Sequence, residues 1–460
     1  MEANLEDVTG RLSMNIQFDS CEEAIAYLDK FQFHGFRLGL ERIKAVLSAL
    51  GEPQEAFPCI HVAGTNGKGS VCAALSHILT RAGFRTGFYS SPHLFSLNER
   101  FRVDMKPVED SHLTGLISDI ATLVEEGFEL SYFEFTTAMA FLYFARIGVD
   151  IAVVETGLGG RLDATNVITP EVSVITNVSL EHQAYLGATI KEIAREKAGI
   201  IKRTVPVITG SLDQEAEGVV MERAAELECP VLRLGREFRI HPGREGTFDY
   251  SGPFFRMRGL RFGLAGEHQL ENAATAISAV ETMNEREVDV PEEAVRSGLA
   301  ETDWPARGEF LRKGGVTVLL DGAHNMAGVN ALKGLLHNNV VQKEPSRRDR
   351  ALLWACSDEG GDKDVSSLLE RIAPFFGRIV ITEPPGPRKP VRIEDWQGKH
   401  PDGWKVCFES DWLKALDLLV KEIQGHFLLV VSGSLYLVGA VRDALLKMGF
   451  KKANMEDLAI

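Results

Sequence analysis

The chain has 460 residues, 45% hydrophobic and 25% charged, with 65 acidic against 50 basic side chains and a net charge of −15. That length exceeds one ordinary core and implies two or more domains, and the composition is that of a soluble globular protein. The acidic surplus speaks against non-specific binding to nucleic acid or anionic membranes, although a local basic pocket for an anionic metabolite is compatible with it.

The six cysteines, Cys21, Cys59, Cys72, Cys229, Cys356 and Cys407, are scattered and form no CxxC pair. They read as small buried hydrophobes in a reducing compartment, neither a disulfide framework nor a zinc site. Met1–Asp7 is acidic without an apolar core, so it does not read as a signal peptide, and no uncharged apolar run approaches the ~18 residues of a membrane span. The cytoplasm is the expected compartment.

Residues 20–50 read as two helices, the second with Leu38, Leu40, Ile43, Val46, Leu47 and Leu50 at helical spacing. Between them, Phe33-His34-Gly35-Phe36-Arg37 is either a turn with exposed aromatics or a lip for a flat aromatic ligand; spacing alone favours the turn. Cys59 and Ile60 then lead as a strand into Gly64-Thr65-Asn66-Gly67-Lys68-Gly69-Ser70, and Ala73, Ala74, Leu75, Ile78 and Leu79 leave it as a helix. Strand, glycine-rich turn and helix are the context of a phosphate cradle. The glycines let several N–H groups face one anion, and Lys68 adds a point charge. The spacing is unusual, with only Thr65 and Asn66 between Gly64 and Gly67 and with Gly69 between Lys68 and Ser70. On the pattern alone, a plain strand-to-helix loop is the alternative.

Phe84–Tyr89 reads as a short strand ending in Ser90-Ser91-Pro92-His93, where a serine beside a phosphate loop is placed to reach a metal or phosphate; a lone Ser-Pro is more often a turn. Tyr132–Thr137 opens a helix, and Ile151–Val154 is a continuous apolar run suited to a buried parallel strand. Glu155, at its end, is a natural oxygen donor for Mg²⁺, with an acid capping a loop as the bland alternative. The glycines of Gly157-Leu158-Gly159-Gly160-Arg161-Leu162-Asp163-Ala164-Thr165-Asn166 imply close backbone approach, which favours the metal. Val172–Thr176 is another buried strand, followed by Glu181-His182 and a helix to Glu196-Lys197-Ala198-Gly199. In isolation His182 reads as a satisfied loop histidine and Lys197 as a surface lysine.

Val205–Ile208 and Pro230–Leu234 add strands, and residues 236–264 read as short antiparallel strands. Helices follow from Glu267 and over about 291–301; Asp303–Phe310 then breaks the pattern and marks a domain boundary. Beyond it, Val316–Leu320, Leu352–Ala355, Arg378–Thr382, Val406–Phe408 and Phe427–Val431 alternate with helices, as in a smaller α/β domain with a largely parallel sheet. Asp321-Gly322-Ala323-His324-Asn325 follows its first core strand, and the charged run Lys343–Arg350 reads as a solvated loop.

With the Gly64–Ser70 loop, Ser91-Pro92-His93, Glu155–Asn166, Glu196–Gly199 and Asp321–Asn325 in this order, the chain resembles the folylpolyglutamate synthase/dihydrofolate synthase family, a branch of the Mur-type amide ligases, over about residues 20–450. The unusual phosphate loop is that superfamily's own version. The resemblance implies an α/β architecture: an N-terminal P-loop ATPase-type domain with a mostly parallel sheet and the pterin site (1–303), and a smaller Rossmann-like domain (304–460). It implies ATP-dependent addition of L-glutamate to dihydropteroate, to tetrahydrofolate or its glutamates, or to both, through an acyl phosphate. ATP would be held by Gly64, Thr65, Asn66, Gly67, Lys68, Gly69 and Ser70, with Asn272, Arg307 and Asp321 completing the nucleotide site.

Ser91, Glu155 and His182 match magnesium ligands of the family, for two ions, and Lys197 matches a lysine carboxylated by CO₂ to an oxygen-bearing carbamate. Catalytic roles would fall to Lys68, Lys197, His182 and His324, the last near the incoming amino acid. The pterin substrate would lie against His34, Gly35, Phe36 and Arg37, against Ser131, Tyr132, Phe133 and Glu134, and against Leu162, Asp163 and Ala164. Expected partners are small molecules only (L-glutamate, dihydropteroate, reduced folates), with no nucleic acid or membrane, and the chain is expected to be a monomer. One departure stands out: Glu181-His182 replaces the family's frequent Asp-His, and the extra methylene bears on the geometry around the metal.

Two other readings are weaker. A cell-wall Mur ligase usually shows Gly-Lys-Thr where this chain has Gly67-Lys68-Gly69-Ser70. A nucleotide-dependent switch would not need a second α/β domain with its own ligand-type loop.

Overall fold

The structure is a computed structural model and describes residues 16–34, 39–244, 246–286, 288–337, 346–358, 365–396, 404–421 and 427–453. The chain forms two compact units. One runs to Arg261 and takes back Asn272–Glu301; the other comprises Phe262–Glu271 and the chain from Thr302 onward. The helix Glu267–Asn284 therefore has its first residues in the second unit and the rest in the first.

The first unit is built on an eight-stranded sheet. Its strands are β1 (Cys59–Ala63), β2 (Thr86–Tyr89), β3 (Phe101–Val103), β4 (Lys106–Pro107), β5 (Ile151–Glu155), β6 (Val172–Ile175), β7 (Val207–Thr209) and β8 (Val231–Arg233), in the order β4-β3-β2-β5-β1-β6-β7-β8. The six from β2 to β8 are parallel, and β3 and β4 extend one edge antiparallel. Every residue of β1, β5 and β6 is buried, as continuous apolar runs require of a parallel sheet covered on both faces. Val62 pairs with Glu155 and Ala63 with Ile175, so β5, β1 and β6 end level and release Gly64, Thr156 and Thr176 at one carboxyl edge. That edge is where open α/β sheets bind ligands.

One face carries the core formed by the helices Cys21–Asp29, Glu41–Ala49, Asp110–Glu125 and Tyr132–Ile147. A separate cluster joins Ala63, Ile175 and Val207 to the helices Ile190–Ala198 and Gln214–Glu226. A small antiparallel sheet of β9 (Arg239–Pro242), β10 (Thr247–Ser251) and β11 (Arg256–Arg261) realises the expected short strands. It is tied to the helix Glu267–Asn284 by a single buried acid: Tyr250 Oη and the N–H groups of Phe254 and Phe255 all donate to Glu281, each at 2.5 Å.

The second unit has a seven-stranded sheet of β12 (Glu309–Lys313), β13 (Val316–Leu320), β14 (Arg350–Trp354), β15 (Arg378–Ile381), β16 (Val406–Phe408), β17 (Phe427–Ser432) and β18 (Lys451–Ala453), in the order β16-β15-β14-β17-β13-β12-β18. The five strands expected from the apolar runs are parallel, and the mixed α/β class holds. The antiparallel pair β12 and β18 was not legible, because β12 begins inside the pattern break at Asp303–Phe310 and β18 has three residues, two of them lysines.

One expectation is corrected. Cys59, Cys72 and Cys356 are buried, but Cys407 is exposed and Cys21 and Cys229 are half-buried. Gly35, Phe36 and Arg37 lie outside the described residues, and so does Lys343–Pro345 of the charged run. Among the described residues no helix is long and apolar enough to cross a membrane.

Glu281→Ala leaves two backbone donors and one phenol without their acceptor. It is expected to cost roughly 1–3 kcal/mol in urea unfolding and to open the β9–β11 segment to limited proteolysis before the rest of the chain.

Candidate active site

At the carboxyl edge of the first unit, Gly64 (φ +152°) and Gly67 (φ +81°) bend the chain between β1 and the helix Lys68–Arg81. Neither position has room for a side chain: a Cβ at 64 would lie 1.9 Å from Thr176 Oγ1, and one at 67 would lie 2.4 Å from Asn272 Oδ1. The end of β6 clamps the loop. Thr65 N–H donates to Asn177 O (3.0 Å) and Asn66 N–H to Asn177 Oδ1 (2.9 Å), while Thr176 Oγ1 (2.6 Å) and Asn177 Nδ2 (3.0 Å) donate to Asn66 O. Thr65 Oγ1 donates to Ser179 O at 3.2 Å and accepts from Ser179 N–H at 3.0 Å. Lys68 folds back over the loop, with Nζ donating to Gly64 O (2.7 Å) and Thr65 O (3.2 Å). Gly69 and Ser70 are buried in the first turn of the helix.

Glu155 is buried at the end of β5 and accepts from Ser91 N–H at 3.3 Å. Burial raises the Cys72 thiol well above its ordinary value, with the Glu155 charge adding to that and Lys68 opposing it, so Cys72 is near both.

Lys197 is no surface lysine. Its side chain is 1% exposed, and its Nζ donates to Glu181 Oε1 at 2.7 Å. Burial lowers its pKa to about 8, with the Glu181 carboxylate opposing the shift and Lys68 reinforcing it. Burial also pushes Glu181 upward, but the charges of Lys197 and Lys68 outweigh it and hold the carboxyl at about 2. His182 has left-handed backbone (φ +44°) and precedes the short helix Gln183–Leu186.

The glycines after Glu155 meet protein. A Cβ on Gly157 would enter the Phe133 ring at 2.4 Å, one on Gly160 would meet Glu196 O at 2.8 Å, and one on Gly199 would meet Arg161 Cβ at 2.3 Å. Arg161 N–H donates to Glu196 O at 2.7 Å. The close approach is thus between this loop, Phe133 and the end of the lysine-bearing helix, so glycine density by itself does not bear on a metal. Asp163 is buried and accepts from Leu158 N–H (2.7 Å), Thr165 N–H (3.0 Å) and Thr165 Oγ1, while His61 Nε2 contacts Thr165 Oγ1 at 2.8 Å. Burial raises Asp163 despite these donors and lowers His61 to about 3. Leu162 is half-buried and Ala164 buried beside Asp163.

Ser131 and Glu134 form a capping box on the helix Tyr132–Ile147, and Glu134 also pairs with Arg42 at 3.0 Å. Phe133 stacks on Tyr89, with centroids 6.1 Å apart. Tyr132 lies under the Arg100 guanidinium at 5.3 Å, and His34 ends a short 3₁₀ turn. Asn272 sits against Gly67.

In the second unit, Asp321 is half-buried at the end of β13 and accepts from Gly308 N–H and Ala323 N–H at 2.9 Å each. Burial raises its carboxyl, and nearby Arg307 opposes the shift. His324 Nδ1 lies 2.7 Å from Gly322 O. The Thr176–Ser179 clamp and Glu181 as the partner of Lys197 escaped the sequence; their only signal was polar residues directly after the apolar run Val172–Ile175.

Residues 62–280 match the Mur ligase middle domain. Folylpolyglutamate synthase of Lacticaseibacillus casei is 35% identical over 436 residues, covering 92% of this chain and 98% of that protein. The chain belongs to the folylpolyglutamate synthase/dihydrofolate synthase family. A second member, dihydrofolate synthase/folylpolyglutamate synthase of Bacillus subtilis (strain 168), is 32% identical over 445 residues, covering 93% of this chain and all of that one. Among solved structures of the family, E. coli FolC in complex with DHPP and ADP superposes with a TM-score of 0.83 at 27% identity, covering 94% of this chain and 100% of that one.

Gly64→Ala would drive a methyl into Thr176 and displace the clamp. Affinity for a non-hydrolysable ATP analogue, measured by calorimetry, is expected to fall at least tenfold, with the thermal midpoint lowered in parallel.

Proposed function

We propose that the chain is an ATP-dependent ligase that adds L-glutamate to dihydropteroate and to tetrahydrofolate or its glutamates, working as a monomer in the cytoplasm. The observation that carries this reading is the clamped Gly64–Gly67 loop with Lys68 beside a buried Glu181–Lys197 pair, in a chain whose relatives are named for these synthases.

A carboxylate does not lose oxygen to an amine unaided. The γ-phosphoryl of ATP activates the acceptor's carboxylate as an acyl phosphate, glutamate's amino group attacks the carbonyl carbon, and phosphate leaves. Loop N–H groups from Gly67 to Ser70 and the Lys68 ammonium hold the phosphates and offset their charge, a contribution of position and electrostatics. Lys68 Nζ rests on the carbonyls of Gly64 and Thr65, within the loop assigned to the phosphates.

The residues present fit magnesium in part. Glu155 and the Ser91 hydroxyl are hard oxygen donors and His182 a nitrogen donor, whereas Lys197 as an ammonium repels a cation and joins the set only as a carbamate. Among the described residues no three His, Cys, Asp or Glu side chains cluster as a metal site. When bound, the ions would supply Lewis-acid charge on the phosphates. For Lys197, the depressed pKa supports carboxylation: at about 8 it is roughly one-tenth neutral at pH 7, against fewer than about one in a thousand for an ordinary lysine.

Glutamate-dependent ADP release with Mg²⁺, bicarbonate and each acceptor in turn tests the reading. Activity with both acceptors is the expected result, tetrahydrofolate alone would restrict the enzyme to polyglutamylation, and ADP release indifferent to glutamate and acceptor would overturn the ligase. Lys68→Ala should abolish turnover with the fold intact. Lys197→Ala should lose activity and regain part of it with small carboxylic acids. In wild type, the added CO₂ mass should rise with pH through about 8; no mass and no rescue would remove the carbamate.

A further inference from the structure

The buried arginine of the first unit is unclaimed by the loop, the lysine pair or the capping box. Arg100 is only 7% exposed, yet of its five N–H donors one has a hydrogen-bond acceptor among the described residues: Nε donates to His93 Nδ1 at 3.0 Å. The face of the guanidinium rests on Tyr132 at 5.3 Å, which supports the cation and leaves both terminal NH₂ groups without a hydrogen-bond acceptor among the described residues. Asp29 is close enough to feel its charge, but its carboxylate is bonded to Gln32 at 2.6 Å and forms no ion pair with Arg100. Because Nδ1 of His93 accepts, the proton of the neutral ring must sit on Nε2, so the histidine too presents a donor. The pair thus offers N–H groups only, on a largely buried guanidinium, a setting that suits an anion.

Its position limits the anion. Ser90 N–H bonds Arg100 O at 3.1 Å, so Arg100 stands beside the turn whose next residue, Ser91, touches Glu155. Glu99 holds that turn rigid by accepting from the N–H groups of Leu94, Phe95 and Ser96. The side chain itself faces the start of the helix Tyr132–Ile147, while Lys68 covers the phosphate loop.

We infer that Arg100 and His93 form a recognition site for a carboxylate of the acyl substrate, with the guanidinium fork as the binding element and His93 as the residue that orients it. The inference rests on the ligase reading above. The planar fork matches a carboxylate through two parallel bonds, which a lysine cannot reproduce.

The test is steady-state kinetics on the full chain with Arg100→Met, Arg100→Lys and His93→Phe. Arg100→Met should raise KM for the acceptor at least tenfold and leave KM for ATP and for glutamate within twofold. Arg100→Lys and His93→Phe should fall between, and they carry the test if the methionine variant loses its cooperative thermal transition. Dihydropteroate has one carboxylate and tetrahydrofolate two. A rise with tetrahydrofolate alone assigns the site to the tail carboxylate, and a rise with both assigns it to the reacting one. Unchanged acceptor KM in all three variants, or a rise in KM for ATP or glutamate in its place, overturns the inference. Equilibrium dialysis of each acceptor against wild type and variants accompanies the kinetics. A wild type that binds acceptor through Arg100 but releases no ADP counts against the ligase alone.

Discussion

Asn66 is bonded at both its N–H and its carbonyl by one neighbouring strand end, and the shape of the Gly64–Ser70 loop depends on that. Its N–H is held by Asn177 and its carbonyl by Thr176 and Asn177. A loop that aims several N–H groups at one point is strained by their mutual repulsion and by the entropy of fixing glycine backbone. The ordering must come from outside the loop, and β6 supplies it because it ends level with β1. Position in the sheet is thereby converted into preorganisation of the cradle.

A second constraint is electrostatic. Lys68, Lys197 and Glu181 share one buried neighbourhood, with Asp163 near enough to be felt by Lys197. Burial lowers Lys197 to about 8 although the Glu181 carboxylate opposes the shift, with Lys68 adding to it and Asp163 opposing it. Depth, more than the surrounding charges, makes this one amine unusually available.

Much of this was legible in the sequence, for a physical reason. Parallel strands buried on both faces must be apolar throughout, so Ile151–Val154 and Val172–Thr176 announced themselves, and Gly64–Ser70 between a strand and a helix fixed the edge at which they end. The strands β3, β4 and β18 did not, because two or three residues carry no period, and β12 was hidden because it starts inside the Asp303–Phe310 break. Pairings across the chain were equally hidden: nothing local in Glu181 marks it as the partner of a lysine sixteen residues on, and Lys197 by itself reads as solvated. Glycine density after Glu155 was visible, but its meaning was not, because a sequence shows that backbone comes close without showing to what.

That last contact shapes how such a chain can drift. Gly160 and Gly199 hold the loop 157–166 and the end of the helix Ile190–Ala198 together by main chain, with Arg161 N–H bonded to Glu196 O. The depth of Lys197 is then inherited from a seam where backbone meets backbone, flanked by the Arg161–Glu196 ion pair and the bond from Asn166 Nδ2 to Gly199 O. Neutral substitution on the surrounding surface leaves it untouched, whereas at either glycine even one added methyl group needs a compensating shift in the opposite segment. The two segments are far apart in the sequence, yet at those positions they can change only together.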